Sequence, residues 1–279
     1  SSLSVVMAYL IIIKLVSGWN VSNLAKQIGG IVGALFLSYS STFWSNAVET
    51  EVYGGAMFVM LLIVYLTLLW KERKTTPAGE RLLILIGYLA LLSIGIHMTV
   101  LIIMPALFLW VIWEDREKLK DIRFWIAGII LSLVIFSLVP FLVGLFLGLA
   151  LSVIGMVLTR YDRRWVLVFA LLLAGFLGYS VQAYIPIRSS QNPAIDENDP
   201  RGWKRFKYFL ERKQYGQTSM AARAMTRRGS WANQFGAHER MGFWGFFREQ
   251  YMSSKLWYVP VLLGLYGIIQ QIRKRKREG

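Results

Sequence analysis

Apolar residues fall in unbroken blocks along this chain rather than at alternating or every third or fourth position. Blocks of about 20 such residues read as membrane-spanning helices. The first block covers residues 3–16 and the second 27–42, with Lys14 and Lys26 marking a basic loop around Gly18-Trp19-Asn20. A third covers 54–70. The loop 71–81 then carries Thr75-Thr76-Pro77-Ala78-Gly79, which is turn chemistry. The fourth and fifth spans, 82–96 and 98–113, join tightly at His97, and 114–123 is a mixed-charge connection. Residues 124–159 contain no ionisable group and are too long for one helix, which predicts two spans with a turn near 140–148. Arg160, Arg163 and Arg164 precede an eighth span, 165–187. A long polar segment, 188–255, leads to a ninth span, 256–272, and a tail of alternating Arg and Lys. The expected fold is all-α, a polytopic membrane protein of about nine transmembrane helices. Residues 1–187 form the bundle of eight spans, 188–255 an extracytoplasmic loop segment, and 256–279 the last span with a basic cytoplasmic tail.

Charge adds sidedness. Lys and Arg number 31 against 16 Asp and Glu, a net charge of +15. In a membrane protein that excess favours anionic lipid, phosphate or a negatively charged partner. The basic residues are scattered between spans rather than gathered on a soluble domain, which argues against nucleic acid. The absence of cysteine excludes disulfides, thiol catalysis and cysteine-based metal sites. Short loops rich in Lys and Arg are cytoplasmic. This places 14–26, 71–81, 114–123, 160–164 and the tail on one face, and 41–53, the His97 turn, the Pro140 turn and 188–255 on the other. The candidate chemistry thus collects on the outer face. The chain opens Ser1-Ser2-Leu3 straight into an apolar span, without a charged leader, and we expect the natural N-terminus to lie upstream.

The stretch Ser41-Thr-Phe-Trp-Ser-Asn-Ala-Val-Glu-Thr-Glu-Val-Tyr53 sets two carboxylates, Glu49 and Glu51, at the membrane boundary, bracketed by Phe43, Trp44 and Tyr53. Ionisable groups at that depth are costly unless they face a cavity or a partner, so they are functional candidates; the competing reading is a pair of topology markers in headgroup water. Two residues apart, they point about 200° from each other on a helix, so both reach one ligand only if the segment is irregular there. Arg188 leaves an apolar span at the outer boundary and suits bidentate phosphate binding, with snorkelling to ordinary headgroups as its rival. His97 is a candidate phosphate contact or acid–base group, or else a satisfied turn residue. Asp196, Glu197 and Asp199 offer oxygens to a divalent cation, but beside Asn and Pro they read as a capped turn. Asp199-Pro200 resembles an N-cap with proline at the first helical position, opening a basic amphipathic helix over 201–215 that ends at Gly216. Its Trp203, Phe206 and Leu210 share a face, either in the interface plane or packed on the spans. Residues 217–240 read as a mobile loop or lid and 241–247 as a second interfacial piece. Gly29 and Gly33, and Gly144 and Gly148, have the spacing of helix packing. No P-loop, HExxH or GxSxG motif is present.

Around Phe43–Tyr53, at Gly95-Ile96-His97-Met98-Thr99 and at Arg188-Ser189-Ser190-Gln191-Asn192-Pro193 with Asp196-Glu197-Asn198-Asp199-Pro200, the sequence resembles a bacterial membrane family long known as a domain of unknown function, whose animal relatives are transmembrane protein O-mannosyltransferases. The resemblance covers most of the chain. It implies a type C glycosyltransferase in a bacterial inner membrane, taking a sugar such as mannose from a polyprenyl-phosphate carrier to an acceptor protein hydroxyl on the periplasmic or extracytoplasmic face, among membrane lipids. On that reading Glu49 and Glu51 are the catalytic acids, Arg188 and His97 hold the donor phosphate, and Trp44, Gln191 and Asn192 contact substrate. A further acid in a first outer loop upstream of Ser1 is also expected. No cofactor and no metal site is assigned, and metal dependence is left open. The other functions weighed are a transporter or flippase of a lipid-linked anion and a structural membrane subunit.

Overall fold

The computed structural model describes residues 1–49, 51–135, 138–216, 229–236, 242–251 and 258–278. The described residues are helical, with no strand among them. They divide into two compact units, one of residues 1–54 with 226–279 and one of residues 55–225.

In the first unit, α1 (Ser2–Val16) packs against α2 (Asn23–Ser38), and α3 (Ser41–Val48) follows directly. Ser22 opens α2 by accepting from the Ala25 N–H, which satisfies one of the donors a helix start leaves unpaired. Ideal Cβ atoms at Gly30 and Gly33 fall within 3 Å of Tyr9 and Ile12, so these two glycines let the helices approach. Gly29 meets nothing within 4 Å, so the packing register lies one residue from the spacing read in the sequence.

Further along the chain, the second unit is built round α10 (Arg163–Tyr179), which packs against α5 (Pro77–Leu92), α8 (Ile122–Ile135) and α9 (Phe141–Leu158). The unit also holds α4 (Tyr53–Arg73), α6 (Met104–Glu114) and the short α7 (Glu117–Lys120). After α10 the chain continues through α11 (Tyr184–Ser189) and α12 (Trp203–Leu210). The first unit closes with α13 (Trp231–Phe235), α14 (Phe243–Glu249) and α15 (Tyr258–Glu278).

The distribution of side-chain size on α9 shows what solvent the bundle faces. Its inward stripe is Gly144, Leu145, Gly148, Ser152 and Gly155, while Phe146, Leu147, Leu151, Ile154 and Leu158 are exposed. Small residues inward and large apolar ones outward is the arrangement of a helix solvated by lipid. Among the described residues, four helices are long and apolar enough to cross a membrane: Tyr53–Arg73, Pro77–Gly95, Phe141–Leu158 and Arg163–Ser189. Ser2–Val16, Met98–Glu114 and Ile122–Ile135 are shorter apolar helices. The chain is a membrane protein. The turn expected near 140–148 falls at the start of that range: Pro140 caps α9, and Gly144 and Gly148 pack inside the helix, the latter against the Phe176 ring.

Connections within the second unit sort by end. Lys71 Nζ pairs with Glu114 at 3.1 Å, Lys74 Nζ donates to the Glu114 carbonyl at 2.5 Å, and Arg163 Nε donates to both Glu80 oxygens at 3.0 Å. Arg123 Nη1 lies 3.6 Å from Asp162. The loops 71–81, 114–123 and 160–164 therefore meet at one end. The first unit sorts likewise. Trp19 Nε1 donates to Gln271 Oε1 at 2.7 Å beside one connection, and Gln250 holds the start of α3 through the Ser41 and Thr42 N–H groups at the other.

Candidate functional site

At the end of the second unit opposite the charged loops lies a cavity of about 380 Å³. His97, Met98, Gln182, Glu197, Arg212 and Gln214 bring polar or polarisable atoms to a wall that is otherwise largely apolar. Among the described residues all four 3₁₀ segments contribute to it: Ser93–Gly95, Met98–Ile103, Ser180–Ala183 and Lys213–Tyr215. Tight turns of this kind hold poorer hydrogen bonds than α-helix and cluster at functional hinges.

His97 is the N-cap of the second of these turns. Its Nδ1 accepts from the Thr99 N–H at 3.3 Å, so the neutral ring carries its proton on Nε2. Arg212 arrives from the far side of the sequence. Its backbone is left-handed, φ 53° and ψ 35°, and ends α12, a conformation that costs a non-glycine residue about 1–2 kcal/mol and is kept where the surroundings demand it. Arg212 Nη1 reaches the Met98 sulfur at 3.2 Å. Gln214 Oε1 is buried with no hydrogen-bond partner among the described residues, and Gln182 is only 6% exposed. Buried amide oxygens left unsatisfied are costly, so an acceptor of this kind calls for a donor from a ligand or water.

Glu197 is exposed and belongs to the segment 188–201. Ser189, 2% exposed, donates to Asp196 Oδ2 at 2.8 Å. Asp199 is clasped by Arg201 and Arg205, and Arg201 Nη1 donates to Asn192 Oδ1 at 2.5 Å. Asn192, Asn198 and Asp199 all have positive φ, which Asn and Asp tolerate better than other side chains. Asp196 and Asp199 thus spend their oxygens inside the turn. Asp199 does not cap a helix as the sequence suggested. Its carboxylate is taken by arginines, and the helix opens after Gly202 at φ 76° and stops at Leu210, well before Gly216. That helix docks on the bundle: Phe206, 2% exposed, stacks edge-on to Phe141 at 5.2 Å, while Lys204 and Arg205 stay exposed.

Of the residues assigned to donor or substrate from the sequence, His97 lines this cavity, and so does Glu197, which the sequence offers as a cation ligand. Arg188 is exposed and donates to Gln191 Oε1 at 3.1 Å; Gln191 and Asn192 are exposed beside it. Glu49, Glu51 and Trp44 belong to the first unit and are exposed there. α3 ends at Val48, Glu49 is extended, and Ser45 Oγ donates to Glu49 Oε1 at 3.0 Å. Trp44 stacks on Tyr39 with ring centres 6.1 Å apart. The expected lid, 217–240, lies outside the described residues except for 229–236; of the second interfacial piece, Met241 lies outside them and Phe243–Glu249 is helical. Arg212 and Glu197 are the cavity residues whose role the sequence pattern did not reveal: Arg212 falls within the helix expected over 201–215, and Glu197 within the expected capped turn.

No curated protein and no solved structure matches the chain. Residues 1–120 match the model of one family, described as the protein O-mannosyl-transferase TMEM260 N-terminal domain. That matched stretch contains Trp44, Glu49, Glu51 and His97 and stops short of Arg188, Glu197 and Arg212; over it, the chain is similar to a glycosyltransferase.

Proposed function

We propose that the chain is the membrane part of a type C glycosyltransferase of about nine spans, which moves a sugar from a polyprenyl-phosphate carrier to a protein hydroxyl on the extracytoplasmic face of a bacterial plasma membrane. The observation that carries this reading is the meeting of Arg212, His97 and Glu197 at one cavity, at the end of the bundle away from the basic loops; the similarity of residues 1–120 to an O-mannosyltransferase domain supports it. The guanidinium binds the donor phosphate, trading a thioether, which is a weak acceptor, for anionic oxygens that are strong ones. His97 adds a second donor. As the acceptor oxygen bonds to the sugar's anomeric carbon, the bond from that carbon to the phosphate oxygen breaks. The electron pair goes to the phosphate, where the cationic contacts stabilise it, and the acceptor proton passes to a carboxylate. Glu197 is the carboxylate at this cavity, and the buried amides of Gln182 and Gln214 suit sugar hydroxyls.

The test is binding and transfer with a mannosyl-phosphopolyprenol labelled in the sugar and a Ser/Thr peptide. Wild-type protein is expected to bind the donor and label the peptide, and Arg212→Ala to bind at least tenfold more weakly, as loss of a charge-assisted contact requires. Equal binding by the two proteins overturns the reading, as does movement of the lipid across proteoliposomes with no labelled product.

A further inference from the structure

Two recesses adjoin near the charged end of the second unit, away from the cavity above. One is an apolar cavity of about 480 Å³ between α4, α5, α6, α8 and α10. Its two hydroxyls, on Thr67 and Ser132, donate to the carbonyls of Ile63 and Gly128 on their own helices, at 2.8 and 2.7 Å. The cavity therefore offers hydrocarbon almost alone. Phe108 and Trp125, both exposed and set edge-to-face at 6.3 Å, stand in its wall, and a Cβ added at Gly128 would meet nothing within 4 Å.

The second recess, of about 760 Å³, is polar, and Phe124 lines both. Five cations and four carboxylates, Glu80, Asp115, Glu117 and Asp121, line it. Arg163 is taken by Glu80, Lys120 by Glu117, and Arg123 by Asp121 and Asp162. Among the described residues Lys74 reaches a backbone carbonyl and no carboxylate, Arg164 has no carboxylate partner, and Arg123 Nη1, 3.6 Å from Asp162, is a buried donor without a hydrogen bond. Lys74 and Arg164 are thus the two cations of this recess without an ion pair among the described residues, beside an apolar slot.

Depth identifies the occupant. From Phe124 to Ser132 the slot follows eight positions of α8, about 12 Å of helix at 1.5 Å per residue. One leaflet's hydrocarbon is about 15 Å deep. That fits a fatty-acyl chain standing in one leaflet and is too short for a polyprenyl chain. Basic pockets between spans are suited to anionic headgroups. We infer that the two recesses together bind one anionic glycerophospholipid, with its phosphate on Lys74, Arg164 and Arg123 and an acyl chain in the slot. The site is separate from the proposed sugar-transfer cavity and stands or falls independently of it.

Native mass spectrometry of the full chain with phosphatidylglycerol and phosphatidylcholine of the same acyl chains tests this. Phosphatidylglycerol is expected to be retained about tenfold better, the discrimination that one or two interfacial cations confer. The double variant Lys74→Ala/Arg164→Ala should level the two lipids, and Gly128→Leu, which fills the slot, should lose both. Brominated-chain phosphatidylglycerol should quench tryptophan fluorescence less in Trp125→Phe than in wild type, a readout that does not depend on Gly128→Leu folding. Equal retention of the two lipids by wild type overturns the proposal. So do unaltered retention by Gly128→Leu, quenching that Trp125→Phe leaves unchanged, or displacement of the lipid by an equimolar polyprenyl phosphate.

Discussion

Arg212 and Met98, 114 positions apart in the chain, meet at 3.2 Å across the cavity, guanidinium to thioether. The contact joins the turn around His97 to the end of α12, so a residue from inside the matched N-terminal region and one far outside it share a wall. A sulfur acceptor is weak. Under the proposed function the guanidinium turns from this acceptor to the anionic oxygens of the donor.

Replacing Arg212 by glycine separates structure from function. The left-handed backbone suits glycine, so Arg212→Gly should leave the protein as stable as wild type or up to about 1 kcal/mol more so. Donor binding should still fall at least tenfold. Denaturant melts in detergent beside a donor-binding titration check this, and a variant that unfolds would assign the residue a structural role.

Glu197→Gln keeps shape and removes the base. Donor binding is expected to persist while transfer drops about hundredfold or more. Initial rates at saturating donor measure it.

Glu49→Gln and Glu51→Gln probe the acids of the first unit. Both side chains are exposed, so stability should change by less than about 0.5 kcal/mol. If the two groups act on acceptor or sugar, transfer falls about hundredfold or more in each while the melting curve stays put. Full activity in both would leave them as topology markers.

Packing predictions contrast two glycines. A Cβ at Gly178 would sit 2.4 Å from the Tyr88 carbonyl oxygen, a backbone atom that cannot swing aside, so Gly178→Ala should cost about 1–3 kcal/mol. At Gly29 the same change meets nothing within 4 Å and should stabilise α2 by about 0.5–1 kcal/mol. Phe206→Ala should cost about 3 kcal/mol or more and expose segment 188–216 to protease.

The positions of the apolar helices were legible because lipid solvation leaves a strong mark: blocks such as 54–70 and 165–187 correspond to Tyr53–Arg73 and Arg163–Ser189. The loop 71–81 is shorter than the turn residues suggested, since α5 already opens at Pro77. Thr76 accepts from the Gly79 N–H, so residues read as a turn are the first turn of the helix. The Asp199 cap failed because nearby arginines compete for the carboxylate more strongly than backbone amides do. Arg212 was hidden because a single left-handed residue leaves no trace in hydrophobic periodicity. The folding together of residues 1–54 with 226–279 rests partly on Gln250 and Gln271, whose amide contacts carry no pattern.

Where the helices of the second unit give way to 3₁₀ turns, the backbone is held by strained i→i+3 bonds, and these places ring one cavity. Such a rim can breathe while the trunk behind it stays fixed. Amide deuteration should therefore outpace that of α5 and α10 at residues 93–103, 180–183 and 213–215, and a bound guest should slow it there first.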